Sequence, residues 1–438
     1  MKLDIFQSDK GDCILLESKD GRRILCDGGM SQSMQSHVAP VLAKLRQAKK
    51  KIDFAYVSHI DQDHIAGVLC LLQDELAWRV FEHHRKTKKK KANPPKVLRP
   101  PEFGGLWHNS FHSQLSKNAG KVEDMLAAAV PALLATRVPK LQDAGEELYD
   151  IATSIPEAIK VSRLASSELL GIPLNKIPGT AGSGKLLMAR PGQKPFKLGS
   201  LRLTILGPTR KELAQLRKGW NNWLRENKAN VEKINEQLQK KINEFAASLG
   251  AAHEISLGDW NGIPNHENVT APNIASLMFM VEENGKKLLL TGDSQQDFII
   301  AGLETTGFLT GHGLHIDALK VQHHGSKNNM DDEFAARVSA DHYIFCGNGE
   351  HGNPHLDIIE RVCKSRIESD QKIRARAPTA DGRPFKLWFS SSAEVGPRNP
   401  KGEAHMREVE KLVKEMQKRA KGKMKFVFNK HNFLTLKL

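Results

Sequence analysis

The sequence has little of what marks a secreted or membrane-spanning protein. Its 438 residues include five cysteines (Cys13, Cys26, Cys70, Cys346, Cys363), an odd number with no Cys-x-x-Cys pair. That pattern excludes a disulfide framework and reads as reduced thiols placed mostly in the core. No apolar run reaches the roughly 20 residues that cross a bilayer. The N-terminus, Met1-Lys2-Leu3-Asp4-Ile5-Phe6, enters a strand pattern directly, without a signal-peptide succession. The expectation is a cytoplasmic protein with no membrane segment. Aromatic residues are only 6% of the chain, which argues against extensive base stacking.

What is present is a core and a charge. Hydrophobic residues at 39% suffice for one large domain or for two or three smaller ones. The formal net charge of +15 favours a polyanionic partner, and nucleic acid is the expected one. The charge is concentrated locally. Between Arg85 and Arg99 lie Lys86, Lys88, Lys89, Lys90, Lys91 and Lys96 with no acidic residue, and Pro94-Pro95 blocks regular structure there. The stretch reads as a basic loop, either a solvated surface or a phosphate-backbone clamp.

Elsewhere the patterning alternates. Residues 1–30 turn at Ser18-Lys19-Asp20-Gly21 as a hairpin, 38–48 and 65–84 read as helices, and Ile52–Val57 reads as a strand. Helical spacing recurs over 121–170 and again at Val231, Ile234, Leu238, Ile242 and Phe245. Strands are expected at 274–281, 286–290, 319–322 and 342–346. A basic helix follows at 403–420, then a terminal hairpin pairing Lys425–Phe428 with Phe433–Leu436. The Gly179–Lys185 loop superficially matches a phosphate-binding P-loop, but Leu186 stands where Ser or Thr is needed and no apolar strand precedes it.

The densest chemistry is Ser58-His59-Ile60-Asp61-Gln62-Asp63-His64, between the 52–57 strand and the 65–84 helix. Carboxylates packed this tightly repel one another unless a cation compensates. Two imidazoles and two carboxylates aimed from one turn suit a divalent or dinuclear metal site.

This run resembles the His-x-His-x-Asp-His motif of the metallo-β-lactamase superfamily, with Asp61 in place of the second histidine. The variant looks like the branch containing the metallo-β-lactamase-like domain of ComEC-type DNA-uptake proteins. Further blocks follow in that branch's order: Gln7–Leu16 with Ile24–Gly29, Leu203–Thr209, Asn273–Ser276, Leu288–Asp293 and Leu319–Ser326. The resemblance implies a four-layer αββα sandwich with helical insertions. Its first half would span 1–84 and its second 201–438, including an insertion at 210–265, with the basic loop and a mainly helical insertion at 85–200 between them. It also implies two divalent metal ions, zinc or manganese. His59 and Asp61 would hold the first, Asp63 and His64 the second, and Asp293 would bridge them. The last imidazole is His323 or His324. His323 is the preferred ligand, leaving His324 over the substrate as an acid or phosphate donor.

Two departures shape the expectation. Asp61 adds a hard oxygen where the family has nitrogen, which moves metal preference from zinc toward manganese or magnesium. The wider superfamily also supplies a further histidine, for which His83, His108, His112, His253 and His266 are available. In the late Gly347–His355 loop, Asn353 takes the place of a histidine common in the ComEC-type branch, and His351 or His355 could substitute. The function expected is metal-dependent phosphodiester hydrolysis of nucleic acid by water attack, with Asp63 and His324 as catalytic residues. The rival readings are hydrolysis of a small phosphoester, cyclic nucleotide or lactone, and a non-enzymatic regulatory subunit with a degraded site.

Overall fold

Alternation of apolar and polar residues builds two sheets whose apolar faces meet. The computed structural model describes residues 1–87, 93–109, 157–180, 186–214, 218, 275–311 and 313–438. The first half supplies strands β1 (Lys2–Phe6), β2 (Ile14–Glu17), β3 (Arg23–Cys26), β4 (Phe54–Val57) and β5 (Leu106–His108), with helices α1 (Ala39–Gln47) and α2 (Gln62–Thr87). The second half supplies β6 (Phe196–Leu198), β7 (Leu201–Gly207), β8 (Met278–Glu283), β9 (Lys286–Leu290), β10 (Leu314–Lys320), β11 (Val338–Phe345), β12 (Phe385–Phe389), β13 (Met424–Phe428) and β14 (Phe433–Lys437). Its helices are α3 (Gln296–Thr305), α4 (Asp332–Arg337), α5 (Leu356–Ile367) and α6 (Pro400–Arg419).

One sheet runs β14-β1-β2-β3-β4-β5 and the other β13-β12-β11-β10-β9-β8-β7-β6. Leu3, Ile5, Leu16, Tyr56 and Trp107 of the first pack against Phe279, Val281, Leu288 and Ile344 of the second. The outer face of the second sheet is covered by α3 to α6 through Leu303, Phe334, Val362, Val409 and Val413. The first sheet is covered by α1 and α2 through Leu42, Leu71, Val68 and Leu72. The result is the αββα layering of a metallo-β-lactamase sandwich. No helix among the described residues is long and apolar enough to cross a membrane.

The pairing decides where function can sit. Strands β3, β4 and β5 run parallel in one sheet, as do β9 to β13 in the other. Loops leaving the carboxyl ends of parallel strands gather along one edge, the usual place for ligands in such sheets.

The expected terminal hairpin does not form. β13 pairs in parallel with β12, whereas β14 pairs antiparallel with β1, in the other sheet. Each strand makes a five-pair ladder there, and the short link between them crosses from sheet to sheet. The link is pinned by Asn429 N–H donating to Phe389 O (3.0 Å) and Gln7 N–H to Asn432 O (2.9 Å). The strand expected at 319–322 is β10, which begins earlier and ends at Lys320. Residues 157–165 are helical, but the rest of the helical expectations for 121–156 and 231–245, and residues 181–185, lie outside the described residues.

Candidate metal centre

The metal run begins where β4 ends. Ser58 N–H donates to Asp27 Oδ1 (2.7 Å), and α2 starts at Gln62, placing Asp63 and His64 in its first turn. Three glycines let the neighbouring loops lie against this turn. A Cβ on Gly11 would stand 1.7 Å from Asp63 O, one on Gly28 2.4 Å from Val68 N, and one on Gly67 2.0 Å from Gly28 O. Side chains larger than hydrogen would force the β1–β2 loop and the turn after β3 away from α2.

On the facing sheet, Asp293 follows β9, and Lys320 ends β10. Beyond it His323 (φ 48°) and His324 (φ 54°) both adopt the left-handed conformation, sparsely populated for non-glycine residues. Strain of this kind persists only where surrounding contacts hold it. Here His323 Nδ1 meets Asn329 Oδ1 (2.7 Å) and His324 Nδ1 meets Asp12 Oδ1 (3.0 Å).

The donors converge on one oxygen. Asp293 Oδ2 lies 3.2 Å from His64 Nε2 and 3.1 Å from His324 Nε2. The two Nε2 atoms are 3.3 Å apart, and Asp63 Oδ2 is 3.1 Å from His324 Nε2. Tetrahedral donors about 2.0–2.1 Å from a metal stand roughly 3.3–3.4 Å from one another. The separations among His64, Asp293 and His324 thus fit a divalent cation, with Asp63 close to His324 and Asp63 Oδ1 3.8 Å from His64 Nε2. Farther from the same oxygen stand His59 Nε2 at 4.0 Å and His323 Nε2 at 3.9 Å, with His59 Nε2 3.4 Å from Asp61 Oδ2. His59 Nε2 and Asp61 Oδ1 are buried and have no hydrogen-bond partner, the condition of donors shaped for an ion.

His59, Asp61, Asp63, His64 and Asp293, each expected from the sequence to bind metal, lie close to one another. Of the two late histidines, it is His324 whose Nε2 enters the tight donor group, while the His323 side chain is 31% exposed at the rim. Alternation cannot distinguish them from sequence, because the left-handed turn interrupts it. His351 is exposed and His355 bonds Asn353 Oδ1 (2.8 Å), so neither joins the donor group. Among the candidates for a further histidine, His83 is exposed on the distal half of α2, and His112, His253 and His266 lie outside the described residues. His108 is fully buried at the end of β5, beside Val57, with both ring nitrogens unpartnered.

Three further residues of the site, each inside a block that carries the family resemblance, are not among the expected ligands. Asp27, itself left-handed (φ 56°), meets His64 Nδ1 at 3.1 Å. Asp12 meets His324 Nδ1, so each tight-group imidazole is held from behind by a carboxylate while its Nε2 faces the donor group. Such outer carboxylates fix the tautomer and orientation of metal-binding histidines. Asp12 lies near enough to count as a donor itself, but its other oxygen is ion-paired with Lys320. Lys320 also reaches Asp293 Oδ1 (3.3 Å) and Gly292 O (3.0 Å).

The electrostatics follow from this burial. Desolvation alone would lower the pKa values of His64, His324 and Lys320, but the surrounding carboxylates, Asp293 prominent among them, raise all three above their ordinary values. Burial likewise opposes ionisation of Asp63 and Asp293, and the neighbouring imidazoles reverse it, holding both below the usual carboxylate range. The site is built for ionised oxygens and for cations.

Residues 9–147 match the family model of the metallo-beta-lactamase superfamily, a stretch running from the β1–β2 loop through the metal run. The match covers less than half of the chain and marks a resemblance to that superfamily, whose members usually bind divalent metal ions. Comparison with curated proteins finds no match. Among solved structures, a mutant of CmlA beta-hydroxylase aligns at 10% identity and a TM-score of 0.33, over 99% of this chain and 54% of that one. This chain thus spans about half of that structure. Human tRNase Z, short form, aligns at 9% identity and a TM-score of 0.28, over 100% and 99% of the two chains. Neither alignment bears on activity.

Proposed function

We propose that the protein is a metal-dependent phosphodiesterase acting on nucleic acid. The observation that carries the hydrolytic part is the convergence of His64, His324, His59 and His323 around the single Asp293 Oδ2, with Asp63 beside His324. Charge supports a pair of cations. Asp12, Asp27, Asp61, Asp63 and Asp293 set five carboxylates against the one ammonium of Lys320, leaving the deficit that two divalent ions would cancel. In this reading Asp63, His64 and His324 hold one ion, His59 and Asp61 the other, and Asp293 serves both. When bound, such a pair eases deprotonation of water and offsets charge on the attacked phosphoryl group. The ion held by Asp61 is the one for which manganese competes with zinc.

The chain's own groups supply the rest. Asp27 and Asp12 hold His64 and His324 with Nε2 forward. His323, at the rim and fixed by Asn329, is placed to contact a substrate phosphate or pass a proton to the leaving oxygen. A polymeric substrate accords with the net charge of +15, and the block order resembling the ComEC-type branch points the same way. Within the basic stretch, Arg99 is already engaged by Glu82 (3.2 Å) and Glu75 (3.4 Å), so it is not one of the free cations; Lys88–Lys91 lie outside the described residues.

The test pairs two substrates on the metal-loaded protein. Nucleic-acid binding should fall steeply with salt, and Lys88, Lys89, Lys90 and Lys91 changed together to Gln should flatten that slope by up to about one unit per lost phosphate contact. Hydrolysis of a small chromogenic phosphodiester should be unchanged. Turnover of small esters alone, with no salt-dependent polymer binding, would favour the small-substrate reading; no turnover and no bound metal would favour a non-enzymatic role.

A further inference from the structure

We infer that Lys320 is a positioning residue that fixes how Asp293 is shared between the two ions, an inference that rests on the two-cation reading above. The carboxylate of Asp293 is divided by its surroundings. Oδ1 faces Lys320 Nζ at 3.3 Å, whereas Oδ2 faces His59, His64, His323 and His324. Lys320 is 2% exposed, and its ammonium is itself held in place by Gly292 O and by an ion pair with Asp12. Asp12 in turn grips His324 Nδ1, so one buried cation sets both the bridging carboxylate and an imidazole of the tight group.

With Oδ1 turned to Lys320 and Oδ2 to the imidazoles, Oδ2 is the oxygen that would be presented to both ions. Single-atom sharing would then be favoured over a carboxylate spanning the ions with one oxygen each. A freely rotating Asp293 would allow either, because a carboxylate offers about four lone-pair sites over its two oxygens. Lys320 therefore does more than neutralise charge. A purely neutralising ammonium beside two cations would oppose them, and its removal would tighten metal binding.

That contrast gives the test. Manganese is bound to the wild-type protein, to Lys320→Met and to Lys320→Arg, and stoichiometry and affinity are read by equilibrium dialysis and the spin-coupled dinuclear signal by electron paramagnetic resonance. Lys320→Met should lose the coupled signal and bind manganese about tenfold or more weakly, in the range typical of disturbed outer-shell partners. Lys320→Arg, which keeps a donor cation, should retain part of the coupling. A Lys320→Met protein that keeps the coupled pair, or binds manganese more tightly, would overturn the inference. If that variant does not fold, a crystal structure of manganese-loaded wild type decides: Oδ1 of Asp293 must remain on Lys320, and an ion on Oδ1 refutes the assignment. Failure of the wild type itself to bind two ions would instead count against the two-cation reading.

Discussion

The two halves of the metal centre are built unequally. Around Asp63, His64 and His324 the relevant ring nitrogens have partners: Asp27 behind one imidazole, Asp12 behind the other, and Asp293 in front of both. Around His59 and Asp61 the support is thinner. Among the described residues His59 Nδ1 meets the Ser58 hydroxyl (3.0 Å), and its Nε2 and Asp61 Oδ1 have no hydrogen-bond partner. The donor separations overlap, 3.1–3.8 Å in the first half and 3.4–4.0 Å in the second, so the contrast lies in the partners behind the donors. A pre-organised half and an open half should differ in affinity, and the open half is where metal identity can be tuned.

The strongest way to break this contrast is to remove the pre-organised half. Asp63→Ala and His64→Ala should each abolish turnover while leaving the fold intact, since both lie on the first turn of α2 beyond the core strand; circular dichroism and activity with metal restored check this. Loss of the outer carboxylates should be milder. Asp27→Asn and Asp12→Asn should weaken metal binding some 10–100-fold, as outer-shell substitutions do, measured by competition with a chelator.

How much of this was legible in sequence follows from chain distance. The run from His59 to His64 is contiguous and declares itself, and Asp293 and His323-His324 stand out because each follows an apolar strand. Asp12, Asp27 and Lys320 do not. Each is a single charged residue at a strand end, and only the meeting of the two sheets brings Lys320 onto Asp12 and Asp293. The choice between His323 and His324 was not readable either, because two consecutive left-handed residues cancel the alternation that strand parity relies on. The split of β13 and β14 between sheets was hidden for a related reason. A four-residue link is compatible with a hairpin, and only the pairing partners β12 and β1, distant in sequence, decide against it.

A subtler change sharpens the contrast without removing either half. Asp61→His should shift the metal preference of the open half toward zinc, read as relative activity and occupancy with zinc and manganese; an identical ranking in both proteins would take residue 61 out of contact with the ion. Smaller still is an effect away from the ions. Burial pushes the pKa of His108 down to about 4, so it stays neutral in the folded protein while an unfolded histidine protonates near pH 6.5. The folded state therefore loses stability as pH falls from about 6.5 toward 4, by at most about 3 kcal/mol from this residue. His108→Leu should fold and should flatten that part of the acid-stability profile in chemical denaturation. An unchanged slope would mean that His108 finds a partner in solution.

The central claim is that Asp293 serves two ions, one tightly and one loosely held. Equilibrium dialysis with manganese, followed by elemental analysis, measures it directly on wild type and His59→Ala. The account predicts two ions per chain in the wild type with separable affinities, and one ion, the tighter, in His59→Ala. A single ion in the wild type, or two in His59→Ala, would contradict it.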